Sequence, residues 1–190
     1  VSEGHSVSVV GRRPPSAEDA ELPNVCYWEV DISNDVSMSG ALMEIVNRGK
    51  LSNVVFAHRF KGGGDAWDGE ILTSLTATKR IVDGLADFFV DTGGKSIVIV
   101  NSIVSHFIAD EQQISYHMAK AGLKQMARYY AVTLGSRGIR VNTVSPSIFI
   151  KEESKEYYSN NKSLCDLFRS ITPLGRMGTS EEIASVVSFF

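Results

Sequence analysis

Two cysteines in 190 residues are too few for a disulfide framework, and neither Cys26 nor Cys165 sits in a C-x-x-C pair or at metal-ligand spacing from a histidine. Both are expected as reduced thiols, with Cys26, inside the apolar run Val25 to Val30, as a small core residue. No apolar run approaches the roughly 18 residues needed to cross a bilayer. Residues 1–20 also lack the basic start and apolar middle of a secretory signal. No membrane association is expected, and a cytoplasmic location is. Excess positive charge is missing as well: the net charge is −3 with both signs interspersed, so no basic stripe offers itself to a phosphodiester backbone and nucleic acid is not an expected partner. Internal repeats and low-complexity segments are absent.

What is present is ordinary for a folded domain. Hydrophobic residues make up 43% and charged residues 22% of the chain, far from the composition of disordered segments. The length fits one α/β domain, residues 1–190, large enough to bury the core of a doubly wound sheet.

Short β-branched or apolar runs alternate with amphipathic ones. Ser6 to Val10 (SVSVV), Val25 to Val30 (VCYWEV), Asn53 to Phe56 (NVVF), Lys95 to Val100 (KSIVIV) and Ile139 to Val144 read as strands. Ser33 or Asn34 caps a helix whose stripe is Ala41, Leu42, Ile45 and Val46. A Gly62-Gly63-Gly64 loop precedes a long helix over about 68–90, and another helix covers about 115–134. The near-uniform apolarity of Lys95 to Val100 suits a strand covered on both faces. This rhythm implies parallel βαβ units, a Rossmann-type doubly wound parallel sheet in three αβα layers. Residues 151–172 are polar and weakly periodic, and are expected as a mobile substrate-loop segment. Leu174 to Phe190 resumes an amphipathic helical pattern.

The chemistry concentrates in Tyr116-His117-Met118-Ala119-Lys120. Four-residue spacing on a helix sets a phenol and an ammonium on one face, one turn apart. An ordinary phenol titrates near ~10, and a fixed positive charge nearby favours phenolate, which suits a group that exchanges a proton with a carbonyl or carbinol oxygen. Because one Y-x-x-x-K pair arises readily by chance, context has to decide. Fourteen residues earlier, Ser102 follows the apolar strand, at the sheet edge where open α/β folds bind ligands. Its hydroxyl can donate to the same oxygen that Tyr116 protonates. No G-x-S-x-G elbow surrounds Ser102, which argues against a serine hydrolase.

Ser102, then Tyr116 and Lys120, then Gly138-Ile139-Arg140-Val141-Asn142-Thr143-Val144-Ser145-Pro146, in that order and spacing, resemble the short-chain dehydrogenase/reductase family. Asp31 after its strand and the segment Pro173-Leu174-Gly175-Arg176-Met177-Gly178 with Glu181-Glu182-Ile183-Ala184 extend the likeness over nearly the whole chain. The resemblance implies a nicotinamide cofactor and a small carbonyl or alcohol substrate, with Tyr116 as acid/base, Lys120 tuning it and binding ribose hydroxyls, and Ser102 holding the substrate oxygen. It places Asp31 and Ile32 at the adenine, Pro146 beside the cofactor, and Arg12 and Arg13 where a 2′-phosphate is read, so NADP(H) is expected in preference to NAD(H). It further implies pairing through the two long helices into a homodimer or homotetramer.

The sequence also departs from that pattern. Ser74 stands 28 residues before Ser102, where the family carries a catalytic asparagine, and a hydroxyl cannot offer an amide and a carbonyl to a water relay. Phe56-Ala57-His58-Arg59 replaces the N-N-A-G signature; His58 and Arg59 are either substrate ligands or polar cover for a strand end. Ser147 follows Pro146 in place of glycine, and Lys151 takes the place of a threonine. These changes support a second reading, a catalytically degenerate member acting as a binding or regulatory module. His106 and His117 have no acidic or thiol partner at ligand spacing, so no metal is expected. No glycine-rich phosphate turn occurs in the 190 residues. Val1 to His5 reads as the tail of a helix, and the expectation is that a strand, that turn and most of a helix precede Val1 and that a last strand follows Phe190.

Overall fold

The protein is described by a computed structural model that covers residues 5–62, 66–151 and 155–190. Most of the expected terminal helix tail, two glycines of the Gly62-Gly63-Gly64 loop and the start of the 151–172 segment lie outside the described residues. Its contacts cluster into two compact units, Val1–Ser52 with Arg59–Lys95, and Asn53–His58 with Ser96–Phe190. The strands form three separate ladders.

In the first unit β1 (Val7–Gly11) pairs in parallel with β2 (Val25–Glu29), from Val7 opposite Val25 to Gly11 opposite Glu29. Both ends are closed by main-chain bonds of 2.8 Å, Val7 N to Asn24 O and Val30 N to Gly11 O. After Pro14 and Pro15 stop β1, a single unexpected turn, α1 (Ala17–Ala20), forms because the Ser16 hydroxyl accepts from Asp19 N at 3.1 Å. Cys26 is half-buried rather than deep in a core, because β2 is covered incompletely at that position. Helix α2 (Asp35–Asn47) is capped by Asn34, not Ser33; the Asn34 carboxamide oxygen accepts from Ser37 N at 3.1 Å. Its deeply buried residues are Met38, Ala41 and Ile45, with Leu42 and Val46 half-buried, so the expected stripe faces inward with its centre shifted slightly toward Met38.

The long helix expected over 68–90 is segmented. It runs as α3 (Trp67–Glu70), a π-helical turn over Ile71–Thr76, α4 (Ala77–Leu85) and a 3₁₀ turn over Ala86–Phe88. The helix ends early because Phe89 goes extended and buries its ring, bridging Leu51: Leu51 N donates to Phe88 O at 2.9 Å and Val90 N to Leu51 O at 2.8 Å. An ion pair between Arg80 and Asp35 joins α4 to the start of α2.

The second unit holds β3 (Asn53–Phe56), β4 (Lys95–Val100) and β5 (Ile139–Val144) in the order β3-β4-β5, with β3 parallel to β4. Ile97, Val98 and Ile99 are each 1% exposed, as an apolar strand with two covered faces should be. Helix α5 (Ile114–Thr133) presses Ala119, Leu123, Ala127 and Tyr130 inward at 3- and 4-residue spacing. Gly138, at φ 71°, makes the left-handed turn that feeds β5, a conformation a side chain would strain.

Beyond β5, β6 (Phe149–Ile150) pairs in parallel with β7 (Gly178–Thr179). The described part of the weakly periodic 151–172 stretch is helical, as α6 (Lys155–Ser159) and α7 (Lys162–Ile171). Cys165 is buried there, with its thiol on Tyr158 O at 3.1 Å, and the Tyr158 and Phe168 rings meet edge to face at 6.2 Å. Polar residues hid this small local core, since only one face of a short helical hairpin needs to be apolar.

Helix α8 (Ser180–Phe189) starts with a capping box between Thr179 and Glu182, and Arg176 clamps the same carboxylate at 2.6 and 3.0 Å. The Arg176 hydrogen bond, then the Thr179 main-chain N–H, holds the Glu182 carboxyl down at about 2. A carboxyl depressed in the folded state stabilises above its unfolded value, 4.5, and that contribution is lost as pH falls toward 2. Glu182→Gln should therefore lower the urea midpoint at pH 7, by a margin that shrinks through the acid range and disappears below it. A pH-independent difference would contradict this assignment.

Candidate active site

The ends of β4 and β5 are stitched together past the last strand residues. Asn101 N donates to Val144 O at 2.7 Å and Ile103 N to Pro146 O at 3.0 Å, which sets buried Pro146 beside the turn that carries Ser102. Ser102 is extended and caps the 3₁₀ turn Ile103–Ser105: its hydroxyl oxygen accepts from Val104 N at 3.3 Å and its carbonyl accepts from the Ser105 hydroxyl at 2.8 Å. With a lone pair occupied by that N–H, the hydroxyl keeps its proton for another oxygen.

Lys120 is the unusual group. It is 3% exposed, although burying an ammonium is costly unless polar groups receive it. Its Nζ donates to Val100 O at 3.3 Å and lies 5.6 Å from the centre of the Tyr116 ring. That is cation–π range, and it confirms the one-turn geometry read from the spacing. Tyr116 is half-buried at the first turn of α5, and Ser115 beside it is 2% exposed. The structure thus gathers Ser102, Tyr116, Lys120 and Pro146 into one unit, around the junction of β4, β5 and α5.

Two histidines fasten the intervening segment to α5. His117 Nε2 accepts from Ala109 N at 3.1 Å while Nδ1 faces Gln113 O at 3.0 Å, which assigns the proton to Nδ1. His106 Nδ1 lies 2.9 Å from Lys124 Nζ, so the ammonium donates and the imidazole accepts. His58 packs edge to face on Phe56, with centroids 5.9 Å apart. Lys151 lies over the Phe149 ring at 5.4 Å.

The expected asparagine position behaves differently from the family pattern. Ser74 is 1% exposed, lies within the π-helical turn, and donates its hydroxyl proton to Glu70 at 2.6 Å; its carbonyl accepts from the Thr78 hydroxyl at the same distance. Glu70 is itself 5% exposed, and the sequence reading missed it; a carboxylate four residues before a polar helix residue was the available signal.

In the first unit the paired ends of β1 and β2 bring Arg12 toward Asp31. The Asp31 carboxylate accepts from Ser33 Oγ at 2.6 Å and Ser33 N at 2.9 Å. Those two bonds, and more weakly the charge of Arg12, hold it below the usual aspartate range. Arg12, Arg13 and Asp31 are exposed, while half-buried Ile32 lines a hollow with Met38, Leu42 and Ile81. A carboxylate kept ionised near the Arg12 guanidinium at the carboxyl ends of two parallel strands fits the sugar and phosphate of a dinucleotide, and the buried Lys120 ammonium with Tyr116 fits a ribose hydroxyl and a reacting oxygen.

A family profile described as enoyl-(acyl carrier protein) reductase matches residues 15–190. The chain belongs to the short-chain dehydrogenase/reductase family. Acetoacetyl-CoA reductase of Cupriavidus necator is 32% identical over 149 residues, covering 76% of this chain and 56% of that protein. The chain spans about half the length of the curated relatives it matches. Among solved structures, 4-hydroxyisoleucine dehydrogenase complexed with NADH superposes over 99% of this chain and 81% of that one, with a TM-score of 0.87 at 19% identity. ElxO with NADP bound superposes over 99% and 82%, with a TM-score of 0.84 at 18% identity. Likeness at that level shows the α/β Rossmann-type fold. Among the described residues no helix is long and apolar enough to cross a membrane.

The ordering of effects at Asp31 is measurable. In carboxyl carbon NMR titrations, Ser33→Ala should move the Asp31 midpoint upward by more than Arg12→Ala does. The reverse order would show that the guanidinium, not the Ser33 bonds, dominates that corner.

Proposed function

We propose that this chain carries the catalytic centre of an oxidoreductase that moves a hydride between NADP(H) and a small carbonyl compound or secondary alcohol. The observation that carries the reading is the buried Lys120 ammonium 5.6 Å from the Tyr116 ring centre, anchored on Val100 O two residues before Ser102.

A bound nicotinamide would supply or accept the hydride. Everything else falls to side chains of this chain. In the reductive direction the Tyr116 hydroxyl gives its proton to the carbonyl oxygen as that oxygen becomes negative, and in the oxidative direction the same oxygen takes the carbinol proton. The fixed charge of Lys120 stabilises the negative charge that develops on the phenol oxygen and hydrogen-bonds a ribose hydroxyl. Ser102 donates to the substrate oxygen, its own oxygen already being held by Val104 N. Arg12 and Arg13 face a 2′-phosphate, Asp31 and Ile32 the adenosine, and Pro146 the wall beside the nicotinamide. Arginine is suited to phosphate because its planar fork donates two parallel hydrogen bonds.

One observation favours a second reading, a family member that binds dinucleotide without turning it over: the Ser74 hydroxyl is committed to Glu70 and offers no carboxamide to a proton path. Turnover separates the two.

With NADPH and a panel of ketones and aldehydes, the intact protein should oxidise NADPH, and Tyr116→Phe should cut kcat by about 10²–10⁴-fold with binding retained. Equal rates in the two proteins would remove Tyr116 from its role, and binding without turnover by the wild type would favour the second reading. Replacing both Arg12 and Arg13 by alanine should weaken NADPH by about tenfold or more while leaving NADH nearly unchanged, since each lost charge-assisted bond is worth about 1.5–3 kcal/mol. Equal losses for both cofactors would contradict the phosphate assignment.

A further inference from the structure

A carboxamide closes the most deeply buried strand among the described residues. Asn101 follows Lys95–Val100 directly, is 5% exposed, and precedes Ser102. Burying so polar a side chain is unfavourable unless its hydrogen-bonding capacity is used. Its main-chain N–H ties β4 to β5 through Val144 O at 2.7 Å, and its Nδ2 donates to the main-chain carbonyl of Lys120 at 3.1 Å. That second bond fixes the orientation of the amide, because a flipped carboxamide would set its oxygen against the Lys120 carbonyl oxygen. The neighbouring Val100 carbonyl receives the Lys120 ammonium. Two consecutive residues at the end of β4 therefore grip the same lysine, one by its backbone and the other by its charge.

The remaining group is Asn101 Oδ1, a buried acceptor to which no donor of the described residues points. A carboxamide oxygen in that state calls for a small donor, and a water molecule is the smallest that can be bridged to polar neighbours. In this chain the position where the family places its carboxamide is Ser74, whose hydroxyl serves Glu70.

We propose that Asn101 is a positioning residue for the reaction read above: it sets the height of Lys120 against the end of β4 through Nδ2, and its Oδ1 holds one internal water, giving the Tyr116–Lys120 region the carboxamide that Ser74 lacks. The inference rests on that reading of Tyr116 and Lys120 for its consequence in catalysis, and on geometry alone for the tie itself.

The test has two arms. In the intact protein labelled with ¹⁵N-asparagine, the Asn101 side-chain amide, assigned by its through-bond correlation to the main chain, should exchange slowly with solvent and show magnetisation transfer from a long-lived water. An Asn101 amide that exchanges as fast as exposed asparagine side chains, or that shows no long-lived water, overturns the proposal, whether or not the protein turns over any substrate. In steady-state assays Asn101→Ala should lose about 10- to 100-fold in kcat per folded molecule, the range that a small misplacement of a reacting group costs, with KM for the carbonyl substrate changed little. Asn101→Asp, which keeps the shape and the acceptor but not the Nδ2 donor, should lose kcat as well. Unchanged kcat in folded variants would reduce Asn101 to a packing residue and contradict the proposal. If the wild type lacks turnover, the oxidoreductase reading fails by that result, and the NMR arm still decides whether Asn101 holds Lys120 and a water.

Discussion

Burial of the Lys120 ammonium is the constraint around which the second unit is organised. An ammonium withdrawn from water to 3% exposure must be received by fixed dipoles and polarisable surfaces, and β4 ends so as to present one, the Val100 carbonyl, while α5 supplies another, the Tyr116 ring one turn back. The junction is held in place by main-chain bonds that carry the β4–β5 pairing past the strand ends, from Asn101 N to Val144 O and from Ile103 N to Pro146 O. A buried cation of this kind is a poor device for stability and a good one for stabilising charge on a neighbouring oxygen.

The packing that supports it is apolar and continuous. Ile97, Val98 and Ile99 are almost wholly buried in β4, and Ala119, Leu123 and Ala127 are buried along α5, the 20-residue helix that carries both Tyr116 and Lys120. His117 and the His106–Lys124 contact then fasten the segment between Ser102 and α5, using the imidazoles as hydrogen-bond acceptors. In the first unit the same economy recurs on a smaller scale: parallel pairing of β1 with β2 delivers Arg12 and Asp31 to one edge, and Ser33 keeps the aspartate ionised there.

Strands were the most legible feature of the sequence, because β-branched runs bounded by glycine, proline or asparagine leave little alternative, and all five expected strands formed within a residue of their ends. The Tyr116–Lys120 pair was legible for the same reason, helical spacing being geometry rather than context. What escaped notice depends on tertiary contacts. The break of the 68–90 helix needs the buried ring of Phe89, the π-helical turn needs its neighbours, and α6 and α7 need each other, none of which leaves a periodic trace. Asn101 was overlooked although a signal existed: one carboxamide at the end of the apolar run Ile97–Val100, immediately before Ser102.

The most direct measurement is equilibrium titration of NADPH into the intact wild-type protein and into Lys120→Met, which keeps the stem and removes the charge. The account predicts saturable binding by the wild type and a loss of at least about tenfold in affinity for the variant, with carbonyl reduction abolished. Equal affinities and equal turnover in the two proteins would contradict it, for the buried ammonium would then serve neither the cofactor nor Tyr116.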